Sequence, residues 1–429
     1  MIPKIAIIRF PGTNRHQEAF KTIKDVGMNP VYVKWNEDPK YIASFDGYLL
    51  AGGFSYEDRS RAGIIAALDP VMEVIRKQAK KGKAIIGICN GAQMIIESGI
   101  VPGSEDTRMC IAESVRQTQE KILGTGFINH WVHLKMVGKP KRSAFNYSYT
   151  EPKALINCII AHGEGRYVSI DPNLCKNLYD NDQILFQYCN ASGEVLNAYP
   201  INPNGSTENI AGIINKEGNV LAIMPHPEQY CHLAKPLFQS MKDYIVDGNT
   251  TSNLVIPKTH ISYFEVPKIQ KRELGSHTVR LHIRLIITDT EEQTILDTLS
   301  SLKIDATVKK FRSLEIEVKK DWETVMKNLI DSGAVCNLNK EYVIVEKDNT
   351  FYSYEKGDFH TTTSPFSSYT LFIIPRGNYP GKELYSKLQN SDIQNLFLGK
   401  TWSIKGDKDA VLKSNILYNF HSQEAYLIS

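Results

Sequence analysis

Over the first hundred residues, short apolar runs alternate with segments of helical period, and this alternation restricts the fold more than any other feature of the chain. IAIIRF (5–10), PVYVKW (30–35), GYLLAG (47–52) and KAIIGI (83–88) read as strands, each too uniformly apolar to have a wet face. Between them, NRHQEAFKTIKDVG reads as a helix with Asn14 as a possible N-cap and Gly27 as its stop. A second helix opens at Asp69-Pro70 and closes at Gly82. Strands alternating with helices imply an α/β fold, an open and mostly parallel sheet covered by helices on both faces. In such a sheet, ligands bind at the carboxyl ends of the strands. Here those ends carry RFPGTN, GGFSY and CNG.

Beyond this region, 101–155 shows polar, aromatic and basic clusters with no stable period and stays unassigned. Strand-like order returns at LINCIIAHGEGRY (155–167), QILFQYC (183–189) and NVLAIMPHPE (219–228). A helix-period segment, LAKPLFQSMKDYIVDG, closes a first domain at residue 247. Proline-punctuated, mixed sequence over 248–277 reads as a linker. The chain then repeats a pattern of strand, helix, long hairpin-like strand pair, helix and strand, over 278–349 and again over 369–429, with a second linker at 350–368 between the copies. Local echoes such as TLSSLKID with SKLQNSDI support two small α+β ferredoxin-like modules.

Composition narrows the class without naming it. At 429 residues the chain can bury two or three cores. A formal charge of +3 with 23% charged residues and no basic arm gives no sign of a nucleic-acid or membrane-surface partner. No apolar run approaches the roughly 18 residues that span a bilayer, and the first residues lack a signal-peptide pattern, so a cytoplasmic protein is expected. The seven cysteines are scattered without a C-x-x-C pair, which argues against a disulfide framework or a structural zinc site.

Three stretches carry possible chemistry. In GICNGAQ, Cys89 stands at a strand-to-helix corner with Gly87 and Gly91 two residues away on either side, the layout of a nucleophile elbow. A helix N-terminus behind the sulfur favours thiolate over thiol. A buried structural cysteine fits the same letters. A thiolate needs a base: His226 with Glu228 two residues on puts imidazole and carboxylate on one side of an extended segment between two stiffening prolines, although H-P-E is also an ordinary surface turn and His162 competes for the role. The paired glycines of GGFSYED, Gly52 and Gly53, allow backbone amides to approach a ligand carbonyl, or simply make a turn.

Taken together and in order, RFPGTN, GGFSYED, GICNGAQ, IAHGEGRY and NPNGSTENIAGIINKEGNVLAIMPHPE resemble the glutamine amidotransferase subunits of phosphoribosylformylglycinamidine synthases, the PurQ type of class I amidotransferase. The resemblance covers most of 1–247 and implies a flavodoxin-like sheet. It further implies a triad in which Cys89 attacks the side-chain amide of glutamine, His226 moves the proton and Glu228 orients the histidine. Backbone amides of Gly53 and Asn90 would form the oxyanion hole beside Gly52, and Gln93, His162 and Glu164 would help define the glutamine site. Glu57, where the family more often has glycine, and Ala92, where a larger residue is common, depart from the pattern.

The C-terminal modules resemble the small bridging subunit of the same synthase (PurS type), in tandem. With no G-x-x-x-x-G-K-S/T loop and no metal-ligand pattern, the chain is expected to carry no cofactor. ATP and magnesium would be used by a separate synthetase subunit that receives the ammonia. Two rival readings are a stand-alone cysteine hydrolase of the PfpI type and a non-catalytic assembly subunit.

Overall fold

A computed structural model describes residues 2–103, 109–118, 121–149, 155–229, 235–257, 265–367 and 369–428. Cys231, residues 233 and 234 of the last helix-period segment, and 258–264 of the first linker lie outside the described residues. The chain divides into two units, Met1–Phe264 and Glu265–Ser429.

In the first unit, β1 (Lys4–Arg9), α1 (His16–Asp25), β2 (Asn29–Lys34), α2 (Pro39–Ile42), β3 (Gly47–Leu50), α3 (Ile64–Ala67), α4 (Pro70–Lys80), β4 (Ala84–Ile88) and α5 (Asn90–Glu97) follow in sequence. Next come β5 (Cys110–Glu113), β6 (Val115–Gln117), β7 (Ile122–Thr125), β8 (Ile128–Met136), β9 (Leu155–His162) and β10 (Glu164–Val168). The unit ends with α6 (Leu174–Asp180), β11 (Ile184–Cys189), β12 (Ile210–Ile214), β13 (Val220–Ile223) and α7 (Lys235–Val246). One nine-stranded sheet, in the order β2-β1-β3-β4-β13-β12-β11-β8-β9, organises them. β2, β1, β3, β4 and β13 pair parallel, whereas the remaining pairs are antiparallel, so that only β12 and β8 run against the common direction.

Strands β3 and β4 are buried at every position, as a sheet covered on both faces requires. The helix at Asp69-Pro70 begins as the sequence indicates: the Asp69 carboxylate accepts from the Val71 amide and proline fills the first helical position. Asn14, by contrast, is not the N-cap of α1, which starts at His16 with no side-chain cap. Its backbone amide donates instead to the Gly52 carbonyl and ties the first loop to the third-strand loop. The unassigned 101–155 stretch contains β5 to β8. The alternation of β8 is masked in the sequence because an inward position holds His130 and an outward one holds Trp131.

The second unit is a single nine-stranded sheet built from β14 (Gln270–Lys271), β15 (Thr278–Leu285), β16 (Ala306–Val318), β17 (Glu341–Lys347), β18 (Thr350–Glu355), β19 (Asp358–Thr362), β20 (Tyr369–Pro375), β21 (Ile393–Gly406) and β22 (Gln423–Leu427). Its order is β14-β22-β20-β21-β16-β15-β17-β18-β19. Helices α8 (Thr290–Ser301), α9 (Trp322–Asp331), α10 (Tyr379–Leu388) and α11 (Lys408–Lys413) connect the strands. Each half repeats strand, helix, strand, helix, strand.

Where the sequence suggests a hairpin-like pair in each half, the structure has one uninterrupted strand of 13 or 14 residues. The run ATVKKFRSLEIEV contains no turn residue to break it. The two long strands pair antiparallel with each other, Leu314 opposite Leu398 and Phe311 opposite Thr401, joining the halves edge to edge. The stretch 350–368, expected as a linker, carries the β18–β19 hairpin on the outer edge of β17.

Between β15, β16 and β17 lies a buried ionic cluster. Arg280 donates to Glu315 at 2.7 Å and to Glu346 at 2.9 Å, Arg272 reaches Glu315 at 2.6 Å, and His282 bridges Ser313 and Glu346 at 3.0 and 3.1 Å. Among the described residues, no helix in either unit is long and apolar enough to cross a membrane.

Candidate active site

The order β3-β4-β13 in the parallel sheet sets the site. Their carboxyl ends carry the Gly52-Gly53 loop, Cys89 and the Pro225-Pro227 segment, which makes side chains far apart in sequence neighbours in space. β9, which shares their direction, ends at His162.

Cys89 occupies the corner between β4 and α5 with φ 52° and ψ −107°, a conformation that a non-glycine residue holds only when the surroundings enforce it. Two glycines do so by proximity: a Cβ on Gly91 would fall 2.0 Å from the Leu50 carbonyl oxygen, and one on Gly87 would fall 2.5 Å from the Gly91 carbonyl. Helix α5 therefore crosses β3 at backbone contact, and the chain must turn within one residue. The Cys89 amide donates to Ile223 of β13 at 2.8 Å. Its sulfur lies 3.7 Å from the Ala161 carbonyl, and the residue is 5% exposed.

His226 is buried between this sulfur and Glu228. Its Nδ1 and the Glu228 Oε1 are 2.7 Å apart, and a carboxylate can only accept, so Nδ1 is the donor and Nε2 is left for Cys89, which is close enough to act on the charge of the ring. The backbone amide of His226 donates to the Ile159 carbonyl at 2.9 Å, fixing the segment against β9. A Cβ on Gly52 would approach the His226 Cε1 to 2.9 Å, so the glycine packs directly on the imidazole. Burial by itself would lower the His226 pKa. The Glu228 carboxylate and Cys89 outweigh it and raise the group to about 10.

The other candidate histidine is different. His162 is buried, its Nδ1 is 3.1 Å from the Ser114 hydroxyl, and burial reinforced by the charge of His226 pushes it down to about 3. It is a neutral wall residue packed under Gly165. Gln93 is used at both ends: its Oε1 accepts from the Asn90 side chain at 2.8 Å and its Nε2 donates to the Glu164 carbonyl at 2.6 Å. Glu164 accepts from the Ala62 amide at 3.2 Å. These residues knit the loops around the N-terminus of α5.

The two amides expected to form the oxyanion hole are those of Asn90, next to Cys89 in the chain, and of Gly53. Asn90 is the first residue of α5, so its N–H has no carbonyl one turn back to bond. Gly53 faces Thr13 in an antiparallel bridge whose bonds run from Asn14 to Gly52 and from Phe54 to Gly12, which directs the Gly53 amide out of the bridge. Sequence reading missed Asp58, whose carboxylate accepts from the Asn90 side chain at 3.2 Å, and the Ala161 and Ile159 carbonyls, which meet the site only through strand pairing. Among the described residues, no group of three or more His, Cys, Asp or Glu side chains could hold a metal ion.

Residues 2–248 match the family model described as a CobB/CobQ-like glutamine amidotransferase domain. The chain belongs to this family. Among curated proteins, the glutamine amidotransferase region is 44% identical over 226 residues to the phosphoribosylformylglycinamidine synthase subunit PurQ of Methanothrix thermoacetophila, covering 53% of this chain and 86% of that one. It is 41% identical over 229 residues to the protein of the same name from Pyrococcus furiosus, covering 53% and 90%. A solved structure titled PurLQS from Thermotoga maritima is 31% identical, covers 57% of this chain and all of that chain, and superposes with a TM-score of 0.44. Residues 249–429 lie beyond the family model.

Proposed function

We propose that the chain is the glutaminase component of a phosphoribosylformylglycinamidine synthase, hydrolysing glutamine at Cys89 and passing the ammonia to a separate ATP-dependent synthetase subunit. The observation that carries this reading is the His226 imidazole held between the Cys89 sulfur and the Glu228 carboxylate at 2.7 Å, in a chain whose amidotransferase region is 44% identical to a PurQ subunit. Transfer of the Cys89 proton to His226 gives the thiolate, and its attack on the glutamine side-chain carbonyl places negative charge on oxygen. The Gly53 and Asn90 amides would receive that charge, Asn90 as the first residue of α5 at its positive end. His226 then delivers its proton to the leaving nitrogen, ammonia departs, and water activated by the same imidazole hydrolyses the thioester to glutamate. Glu228 stabilises the imidazolium and fixes its tautomer throughout.

Each step draws only on protein groups; nucleotide and magnesium chemistry would belong to the synthetase. The second unit fits a role in assembly, because its two halves join strand to strand as two copies of a small subunit would. The test pairs Cys89→Ala with the synthetase partner. Synthesis from glutamine should vanish and synthesis from an ammonium salt should survive; persistence of both would refute the assignment.

A further inference from the structure

The loop that carries Gly53 does something costly immediately afterwards. Tyr56, Glu57 and Asp58 all have positive φ, 51°, 57° and 53°, one turn of left-handed helix made of L-residues. Each such residue costs about 1–2 kcal/mol, and a run of three persists only if its surroundings over-determine it. The Tyr56 amide donates to the Pro11 carbonyl at 2.9 Å and its hydroxyl to Asp69 at 3.1 Å, and one further side chain spans the turn. The carboxamide oxygen of Asn90 accepts from the Ser55 amide at 2.9 Å, and its nitrogen donates to Asp58 Oδ1 at 3.2 Å and to Gln93 Oε1 at 2.8 Å. Asn90 thus grips both ends of the turn while its own backbone amide stands beside the nucleophile.

Asp58 holds the far end of this grip. The Ser55 amide can only donate and so takes the Asn90 oxygen, which turns the Asn90 nitrogen to Asp58 Oδ1 at the other end of the turn. Burial raises the Asp58 pKa to about 7, opposed by the Asn90 hydrogen bond, so a partly desolvated carboxyl is kept where a solvated one would be easier to ionise. Glu57 and Arg59 of the same loop pair with each other at 2.9 Å.

We propose that Asp58 is a positioning residue for glutamine hydrolysis. Acting through the Asn90 carboxamide, it fixes the left-handed turn 55–58 and with it the spacing of the Gly53 and Asn90 amides that face the developing oxyanion. The inference rests on the glutaminase reading above. A misplaced oxyanion donor weakens transition-state binding more than substrate binding, and it does not touch the intrinsic alkylation of the thiol.

The experiment measures kcat and KM for glutamine hydrolysis by the full chain with its synthetase partner, and the rate at which iodoacetamide alkylates Cys89. Asp58→Ala should lower kcat about 30-fold or more, with KM and the alkylation rate each within about three-fold of wild type. Asp58→Asn, isosteric and still able to accept from Asn90, should recover kcat to within about five-fold of wild type. Combining Asp58→Ala with Asn90→Ala should add little to either alone, because both break one clamp. If Asp58→Ala does not fold, Asp58→Ser replaces it.

Three results would overturn the inference: an unchanged kcat, a parallel fall in alkylation, or Asp58→Asn as impaired as Asp58→Ala. Cys89→Ser separates the two levels. If it hydrolyses glutamine normally, the glutaminase reading itself falls; if it is inactive while Asp58→Ala is normal, only the role of Asp58 falls.

Discussion

The two units bury polar groups to opposite ends. In the second, the buried charges are matched: Arg280 meets two carboxylates, and Glu346 serves both Arg280 and His282. In the first, Ser55 Oγ, His162 Nε2 and Glu228 Oε2, at the site and in its loops, are buried without a hydrogen-bond partner, as are atoms elsewhere such as Gln78 Oε1 and, in the second unit, Thr401 Oγ1 and Trp402 Nε1. Left-handed backbone at Cys89 and at 56–58 sits in the same place. Matched charge specifies a structure, whereas unmatched polarity and strain are what a site holds ready for a substrate.

Several experiments would break or sharpen that contrast. The largest effect belongs to the site: His226→Ala should lower glutamine hydrolysis by about three to four orders of magnitude with the fold intact by circular dichroism, as for other triad bases. Next comes the scaffold. Arg280→Ala would leave Glu315 with Arg272 and Glu346 with His282 and without the arginine that joins them, and should cost about 3 kcal/mol in urea unfolding of the second unit, with Cys89 alkylation unaffected. A loss of alkylation would show that the units are not energetically separate.

Gly52→Ala introduces a methyl group 2.9 Å from the His226 ring and should reduce kcat about ten-fold or more by displacing the imidazole, with little change in stability. pH offers a subtler probe. Because the folded-state pKa of His226 is raised from 6.5 to about 10, its contribution to stability is complete below about pH 6.5 and is lost as pH rises through 10. Denaturant midpoints measured across that range should fall, and Glu228→Gln should flatten the decline. The smallest change is favourable: Glu57, at φ 57°, replaced by glycine should stabilise the first unit by about 1 kcal/mol through relief of the left-handed backbone.

Much of the site was legible because α/β order places loops on one edge. Cys89, His226 and Gly52 each follow a strand, and β3, β4 and β13 prove to be neighbours. What the sequence could not show is which strand lies beside which. The Ala161 and Ile159 carbonyls belong to β9, far along the sheet order, and reach the cysteine and histidine only because β9 runs past them. Asp58 was hidden for a related reason, since its partner Asn90 is 32 residues away.

In the second unit the helices and outer strands were readable from their periods. The full length of the long strands was not, because the pairing that runs along all of it, β16 with β21, joins the two halves. The β18–β19 hairpin did leave a local signal. Asp348-Asn349 and Lys356-Gly357 are two-residue turns with positive φ at both positions, joining alternating strands.

The central claim is that one sulfur, at a strained corner and facing an imidazole backed by a carboxylate, is the nucleophile toward glutamine. A diazoketone analogue of glutamine, followed by peptide mapping, tests it most directly. The expected result is a single adduct on Cys89, formed in step with loss of glutaminase activity and slowed by glutamine. Complete inactivation with Cys89 unmodified, or an adduct confined to another cysteine, would contradict it.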